Sequence, residues 1–419
     1  MSTSFHYSGD RLFCDGVSAD ELVAAYGTPL YVYSQRAILE RYQEFDQAFA
    51  DIDRLIAYSV KANGNLALLK LLGEHGAGAD IVSSGELHRA RLAGIPAERI
   101  IFSGVGKTIN ELAAALEADI YSFNVESEGE LLALANLGEA TGKAAPIALR
   151  VNPDIESPTP HHYTRTGHRA TKFGIPIEEA AELYRFARAS KGIRIRGIDV
   201  HIGSQILEVE PYQLALRRAL EMVAELRDLE IELEYMDLGG GFGVSYEGAA
   251  GPTAADFARA LLPDLKRSGL RLVLEPGRFI MAPAGILLTR VIYVKHMGGK
   301  TFVITDAGMN DLLRPSHYAS YHEVEPAHRY QGRDDIPVDV VGPICETGDF
   351  LALDRMIQQP EQGELLALRT TGAYGFSMAS TYNARPRPAE VLVTDDQHRL
   401  IRKRETHEDL VRGEIELLS

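Results

Sequence analysis

Short apolar runs rich in β-branched residues alternate with longer amphipathic stretches through the first two-thirds of this 419-residue chain. Runs at 55–60, 79–83, 100–103, 120–124, 147–151, 197–202, 235–238 and 272–274 read as strands. Between them, stretches such as 66–75, 85–93, 109–117 and 212–229 space their apolar residues as helices with one buried face do. Eight strand–helix units in a row predict a parallel sheet closed into a (β/α)8 TIM-type barrel, for which about 250 residues is typical. An open doubly wound sheet uses the same alternation, and closure is favoured by where the chemically unusual residues fall. After about residue 282 the helical period fades. Short β-prone runs at 286–294, 301–305, 338–341, 365–368 and 391–393 then appear between Gly and Pro turns. The run at 30–33 is of the same kind. The expected organisation is an α/β barrel over 34–282 and a mostly β domain made of 1–33 and 283–419.

Composition narrows the partners. The chain is 45% hydrophobic and 24% charged, ordinary for a globular protein. No apolar run approaches the roughly 18–20 residues that span a bilayer, so no membrane partner is expected. The first residues are polar where a signal peptide would be apolar, and two cysteines, Cys14 and Cys345, make no disulfide framework. A cytoplasmic setting follows as the expectation. With 43 basic against 59 acidic residues the net charge is −16, which argues against nucleic acid or an anionic membrane surface. No metal is called for.

The predicted strand ends carry the chemistry. Lys61 follows the first strand, Ser83 and Ser84 the second, Ser103 and Gly104 the third; Asn124 closes the fourth. Arg150 lies near the end of the fifth and His201 in the sixth. Gly239–Gly243 follows the seventh, and Glu275, Pro276, Gly277 and Arg278 follow the eighth. A barrel gathers such ends on one face, where active sites sit. A lysine there is partly desolvated, which favours the neutral amine, and a Schiff base to an aldehyde cofactor is the reaction such an amine does well. Glycine turns after the last two strands leave backbone N–H groups open to a phosphate. A carboxylate such as Glu275 favours the protonated form of a pyridine nitrogen beside it. Lysine, phosphate cradle and carboxylate together point to pyridoxal 5'-phosphate over a nucleotide. His201 then reads as an imidazole over the cofactor ring, with Ser204 within reach.

The stretches YSVKAN (58–63), VSSGEL (82–87), RVNP (150–153), HIGSQ (201–205), LGGGFG (238–243), EPGR (275–278), GPICETGDFLA (342–352) and GAYGFSMASTYN (372–383) resemble the diaminopimelate decarboxylases. These belong to the alanine-racemase-like class of pyridoxal-phosphate enzymes. The stretches keep that family's order across nearly the whole chain. The resemblance implies a barrel followed by a β domain, and a head-to-tail homodimer whose active sites are shared between chains. It assigns the cofactor linkage to Lys61, ring stacking to His201, and phosphate contacts to Gly240, Gly241, Gly277 and Tyr374. By the same resemblance, Glu275 meets the ring nitrogen and Arg278, Arg314 and Tyr318 bind the substrate's distal carboxylate. Cys345, the expected proton donor, and Glu346, the expected partner of the distal ammonium, match residues that enter from the partner chain, and Tyr374 also reaches substrate. Thr347 stands where serine is common in the family and keeps the hydroxyl.

Charge supports that substrate. Diaminopimelate carries an amino-acid group at each end, so its far end needs a carboxylate clamp together with an ammonium acceptor. Arg278 and Arg314 can supply the clamp and Glu346 the acceptor. Three alternatives share parts of this pattern. A racemase of the same fold is disfavoured by Glu275, a decarboxylase for another amino acid by the arginine pair. A non-catalytic regulatory homologue would be expected to lack Lys61 or Cys345.

Overall fold

The computed structural model describes residues 4–155, 171–247 and 251–418. The chain divides into two compact units, Tyr42–Val244 with Ala250–Phe279, and Met1–Arg41 with Ser245–Ala249 and Ile280–Ser419.

The first unit is built on strands β1 (Arg54–Ser59), β2 (Gly78–Ile81), β3 (Ile100–Phe102), β4 (Ser122–Val125), β5 (Ala145–Asn152), β6 (Ile193–Asp199), β7 (Tyr235–Asp237) and β8 (Arg271–Leu274). Each pairs in parallel with the next, and β8 pairs with β1, so the sheet closes into a barrel. Several crossover helices begin on a side chain that accepts from the first turn: Asn65, Ser83, Thr108, Ser127 and Thr253. Each such cap contributes about 1 kcal/mol.

Alternation along the strands sets the barrel's interior. Leu55 and Ala57 of β1, Ile101 of β3, Ala148 of β5, Tyr235 of β7 and Val273 of β8, with Tyr121, form one buried apolar cluster. Two residues further along each strand lies the same face one layer up. Counted from Ala57, Gly78, Ile101, Ser122, Ala148, Gly197, Tyr235 and Val273, that layer is Ser59, Asp80, Ser103, Asn124, Arg150, Asp199, Asp237 and Glu275. All eight are buried. An apolar plug therefore closes the barrel below, and a wholly polar layer lies at its C-terminal mouth.

The strand predicted at 197–202 ends at Asp199, and the one predicted at 55–60 ends at Ser59, where Val60–Ala62 turns as a 3-10 helix. His201 and Lys61 thus stand just beyond their strands. Apolar neighbours extended both predictions, because Val60 and Ile202 are buried without belonging to the sheet.

The second unit is a mostly β body. Its main sheet runs Phe350–Gln358, Asp335–Val341, Lys300–Thr305, Gly285–Met297, Leu30–Ser34, Ala389–Thr394 and Gln397–Arg402. Alternate residues of three neighbouring strands, Leu30 and Val32, Ile286 and Leu288, Val391 and Val393, share one buried core with Leu12, Val17 and Leu22. The strand Phe350–Gln358, whose apolar residues are interrupted by Asp354 and Arg355, and the small sheet Phe5–Ser8, Arg11–Cys14, Val17–Ser18 lie outside the runs predicted from the pattern.

Phe242, directly after Gly241, is buried against the rings of Phe45, Tyr212 and Phe257 at 4.7, 4.7 and 4.9 Å between centroids. This packing anchors the glycine turn from below. Phe242→Ala is expected to cost about 3–5 kcal/mol, measured by denaturant unfolding. A loss under about 1 kcal/mol would show that the cluster does not hold the turn.

Candidate active site

Lys61 leaves the 3-10 turn after β1, and its Nζ donates to Asp80 Oδ2 at 2.8 Å. Ser59 Oγ donates to the same oxygen. The turn carrying Lys61 is met closely by the segment after β8. A Cβ on Gly277 would lie 2.8 Å from Ser59 Cβ and 3.0 Å from Ala62 Cβ, so only glycine lets these two segments touch. After the neighbouring strand β7 the backbone at Gly241 has φ +88, and a Cβ there would lie 2.1 Å from Gly203 O. The Gly239–Gly243 turn thus presses against the segment that carries His201 and Ser204. Gly240 N–H donates to His201 Nδ1 at 3.2 Å. Desolvation, with Arg150 and Lys61 adding positive charge nearby, pushes the His201 pKa well down and holds the ring neutral. Arg278, 8% exposed, donates from Nη2 to Ser204 Oγ at 3.2 Å.

The polar layer beneath these groups holds four carboxyls. Asn124 Nδ2 reaches Ser103 Oγ, Asp237 Oδ2 and Glu275 Oε1 at 3.2, 3.2 and 3.3 Å. Arg150 Nη1 bonds Glu126 Oε1 at 2.9 Å, and its Nε lies 3.9 Å from Asp199 Oδ2. Burial, reinforced by the neighbouring Glu275, pushes the Asp199 carboxyl well above its usual range. Burial with Asp237 does the same to Glu275. Carboxyls outnumber cations here, so burying every one of them ionised would be prohibitive.

This donor set suits pyridoxal phosphate. One amine is available at the mouth to take an aldehyde, one glutamate lies deep enough to meet a ring nitrogen, and glycine-built turns leave no side chain where a phosphate would approach backbone. Asp80 Oδ1, Asn124 Oδ1 and Asp199 Oδ1 are buried without a hydrogen-bond partner, so the layer retains acceptor capacity.

The barrel unit thus carries Lys61, His201, Ser204, Gly240, Gly241, Glu275, Pro276, Gly277 and Arg278. The remaining predicted residues lie in the β unit. Arg314, buried, starts the helix Arg314–Tyr318, donates to His322 Nε2 at 3.3 Å and Ser320 Oγ at 3.2 Å, and stands 5.0 Å over the Tyr246 ring. Ser316 of that helix donates to Gly348 O at 2.7 Å, which ties it to the loop bearing Cys345 and Glu346. Both of those side chains are exposed. The loop is shaped by Asp349, which accepts from Met309 N and Ile344 N at 2.6 Å each, and by Asn383 Oδ1, which accepts from Cys345 N at 2.8 Å. Tyr374 sits at φ +56 in the adjoining turn. Sequence reading passed over Asp80, Glu126, Asp199, Asp237 and Asp349. For the strand aspartates a signal existed, each lying two positions beyond an inward-facing residue.

The sequence pattern of the pyridoxal-dependent decarboxylase pyridoxal binding domain matches residues 35–282. A diaminopimelate decarboxylase of Aquifex aeolicus is 48% identical over 412 residues, covering 98% of this chain and 97% of that protein. One from Neisseria meningitidis serogroup B is 46% identical over 97% of this chain and 98% of its own length. The crystal structure of diaminopimelate decarboxylase from Helicobacter pylori complexed with L-lysine superposes with a TM-score of 0.92 at 41% identity, covering 95% of this chain and 100% of that one. Fold and site define a pyridoxal-dependent decarboxylase. Within that class, the chain belongs to the diaminopimelate decarboxylase family.

Glu86 offers a test of how strongly the mouth desolvates its acids. Its side chain accepts from Val82 N at 2.8 Å, and burial pushes its pKa up from 4.5 to about 7. Between those values the folded state keeps a proton that the unfolded state has lost, so this group lowers stability as pH rises from about 4.5 to about 7. Glu86→Gln keeps the acceptor and removes the titration. The difference in Tm between variant and wild type should grow in the variant's favour across that window. A constant difference would place Glu86 in an ordinary solvated setting.

Proposed function

We propose that this protein decarboxylates meso-2,6-diaminopimelate to L-lysine and CO2, the last step of lysine biosynthesis, with pyridoxal 5'-phosphate held at Lys61. The observation that carries the proposal is Lys61 and Glu275 in one barrel mouth, in a chain matched end to end by diaminopimelate decarboxylases. The domain limits taken are 34–282 for the cofactor-binding barrel and 1–33 with 283–419 for the β-rich domain.

When bound, the cofactor supplies an electron sink for the pair left behind as CO2 departs. Lys61 would hold the cofactor through its amine, and Asp80, which Nζ meets at 2.8 Å, would steady that amine and its proton. Glu275 keeps negative charge at the ring nitrogen. Neutral His201 covers a ring face without adding positive charge. Gly240, Gly241, Gly277, Pro276, Ser204 and Tyr374 line the cofactor, the glycines and Tyr374 at its phosphate. Arg278, Arg314 and Tyr318 bind the distal carboxylate, and Glu346 accepts from the distal ammonium, with Tyr374 also reaching substrate. Cys345 Sγ returns a proton to the α-carbon. Cys345 and Glu346 come from a second copy of the chain, so the working form is a cytoplasmic homodimer with shared sites.

Lys61→Ala should abolish both the visible absorbance of the bound cofactor and CO2 release from meso-diaminopimelate. Cys345→Ala should keep the absorbance and lose about 10²–10⁴ in turnover, the usual worth of a placed acid. Unchanged turnover in the cysteine variant would assign the proton to another donor. Two inactive variants, Lys61→Ala and Cys345→Ala, mixed to form heterodimers test the sharing: regained CO2 release supports it, and no regain from mixed dimers refutes it.

A further inference from the structure

Asp237 closes β7 and Glu275 follows β8, its neighbour in the barrel. Their carboxyls are held side by side by one amide, Asn124 Nδ2, at 3.2 Å from Asp237 Oδ2 and 3.3 Å from Glu275 Oε1, and they are 0% and 3% exposed. Among the described residues, the pair's hydrogen bonds come from neutral donors. Gly239 N–H donates to Asp237 Oδ1 at 2.8 Å, Asn124 Nδ2 to both acids, and Ser103 Oγ to Glu275 Oε1 at 3.2 Å.

Arg278 donates to the neutral Ser204, and two other cations of the mouth already meet other acids. Arg150 of β5 serves Glu126 and Asp199, and Lys61 serves Asp80. Asp199 from β6 and Asp80 from β2 face the pair as further acids. Two carboxyls gathered on one amide nitrogen can hydrogen-bond each other only if one of them carries a proton, and like charges this close in a dry site cannot both ionise. The pair titrates as a unit. Which member keeps the proton depends on what meets Glu275. A cationic ring nitrogen against Glu275 draws the negative charge to that residue and leaves the proton on Asp237.

We propose that Asp237 is a positioning residue that keeps a proton and donates it to Glu275, so that the barrel presents one negative charge, not two, to the ring nitrogen of the cofactor. This rests on the reading that Glu275 faces that nitrogen. One anion then balances one cation, and no unpaired charge is left in the layer. Asn124, bridging both acids, sets the orientation in which Asp237 gives its proton to Glu275.

The test uses the holoenzyme. Asp237→Asn places a neutral donor toward Glu275 and an acceptor toward Gly239, as a protonated aspartic acid does, whereas Asp237→Ala removes both. Asp237→Ala should weaken pyridoxal phosphate binding about tenfold or more, the effect of one lost hydrogen bond to a buried charge, and should shift the pH at which the bound cofactor's absorbance changes. Asp237→Asn should restore both. Infrared spectra of the wild type labelled with 13C-aspartate should show at least one protonated-acid carbonyl band that moves on labelling, and that band should vanish in Asp237→Asn. An asparagine variant that fails to rescue, or a wild type in which no acid band moves with aspartate labelling, overturns the proposal. Glu275→Gln separates the two readings: an unchanged absorbance profile there would sink the placement of Glu275 at the ring nitrogen and the charge balance with it, while the infrared band reports the Asp237 proton directly.

Discussion

The structure depends on closing a ring of polar side chains inside a barrel. Eight strands each direct one polar residue into the same layer, and the layer is sealed from below by Leu55, Ile101, Tyr235 and Val273. Burial at that depth makes an ionised acid costly unless a cation or several donors meet it. Four acids share the layer with one arginine, and Lys61 reaches it from the next turn. The excess of carboxyl over cation is therefore the central constraint. Asp199, Asp237 and Glu275 are all driven up by burial first, and burial first, then the cations Arg150 and Lys61, drives His201 down. A cofactor bearing a cationic ring nitrogen meets a site already short of positive charge.

The β unit solves a different problem, how to hold an exposed cysteine and glutamate in one conformation. Asp349 takes two backbone N–H groups from two segments, Met309 and Ile344, and Ser316 ties the helix that begins with Arg314 to Gly348 of the same loop. A change at Asp349 would release both ends at once. The Cys345 and Glu346 side chains thus remain accessible while the backbone beside them is held by Asp349 and Asn383, as in a loop shaped without folding away into a core.

Legibility followed the strength of the local signal. The barrel strands were readable because each is a short apolar run, and helices such as Ile109–Glu117 because their apolar residues keep a helical period. Lys61, Glu275 and the glycine turn stood out because their residue types are unusual at strand ends. Asp80, Asp199 and Asp237 did not, since an aspartate at the end of a strand commonly begins a turn. Only the period-two count from the inward residues Gly78, Gly197 and Tyr235 marks them as interior. The strand Phe350–Gln358 escaped because its exposed face interrupts the apolar run with Asp354 and Arg355.

What the sequence by itself determined is the kind of chemistry: an amine, a glycine cradle, a deep carboxylate and the family to which their order belongs. These are properties of residue type and local spacing, which survive without coordinates. What only the tertiary structure decided is the state of those groups. Asn124 meets Asp237 and Glu275 across more than a hundred residues of sequence, and Arg150 divides its charge between Glu126 and Asp199. Protonation depends on distance and desolvation among residues drawn from different strands, and that sum exists only after the barrel closes.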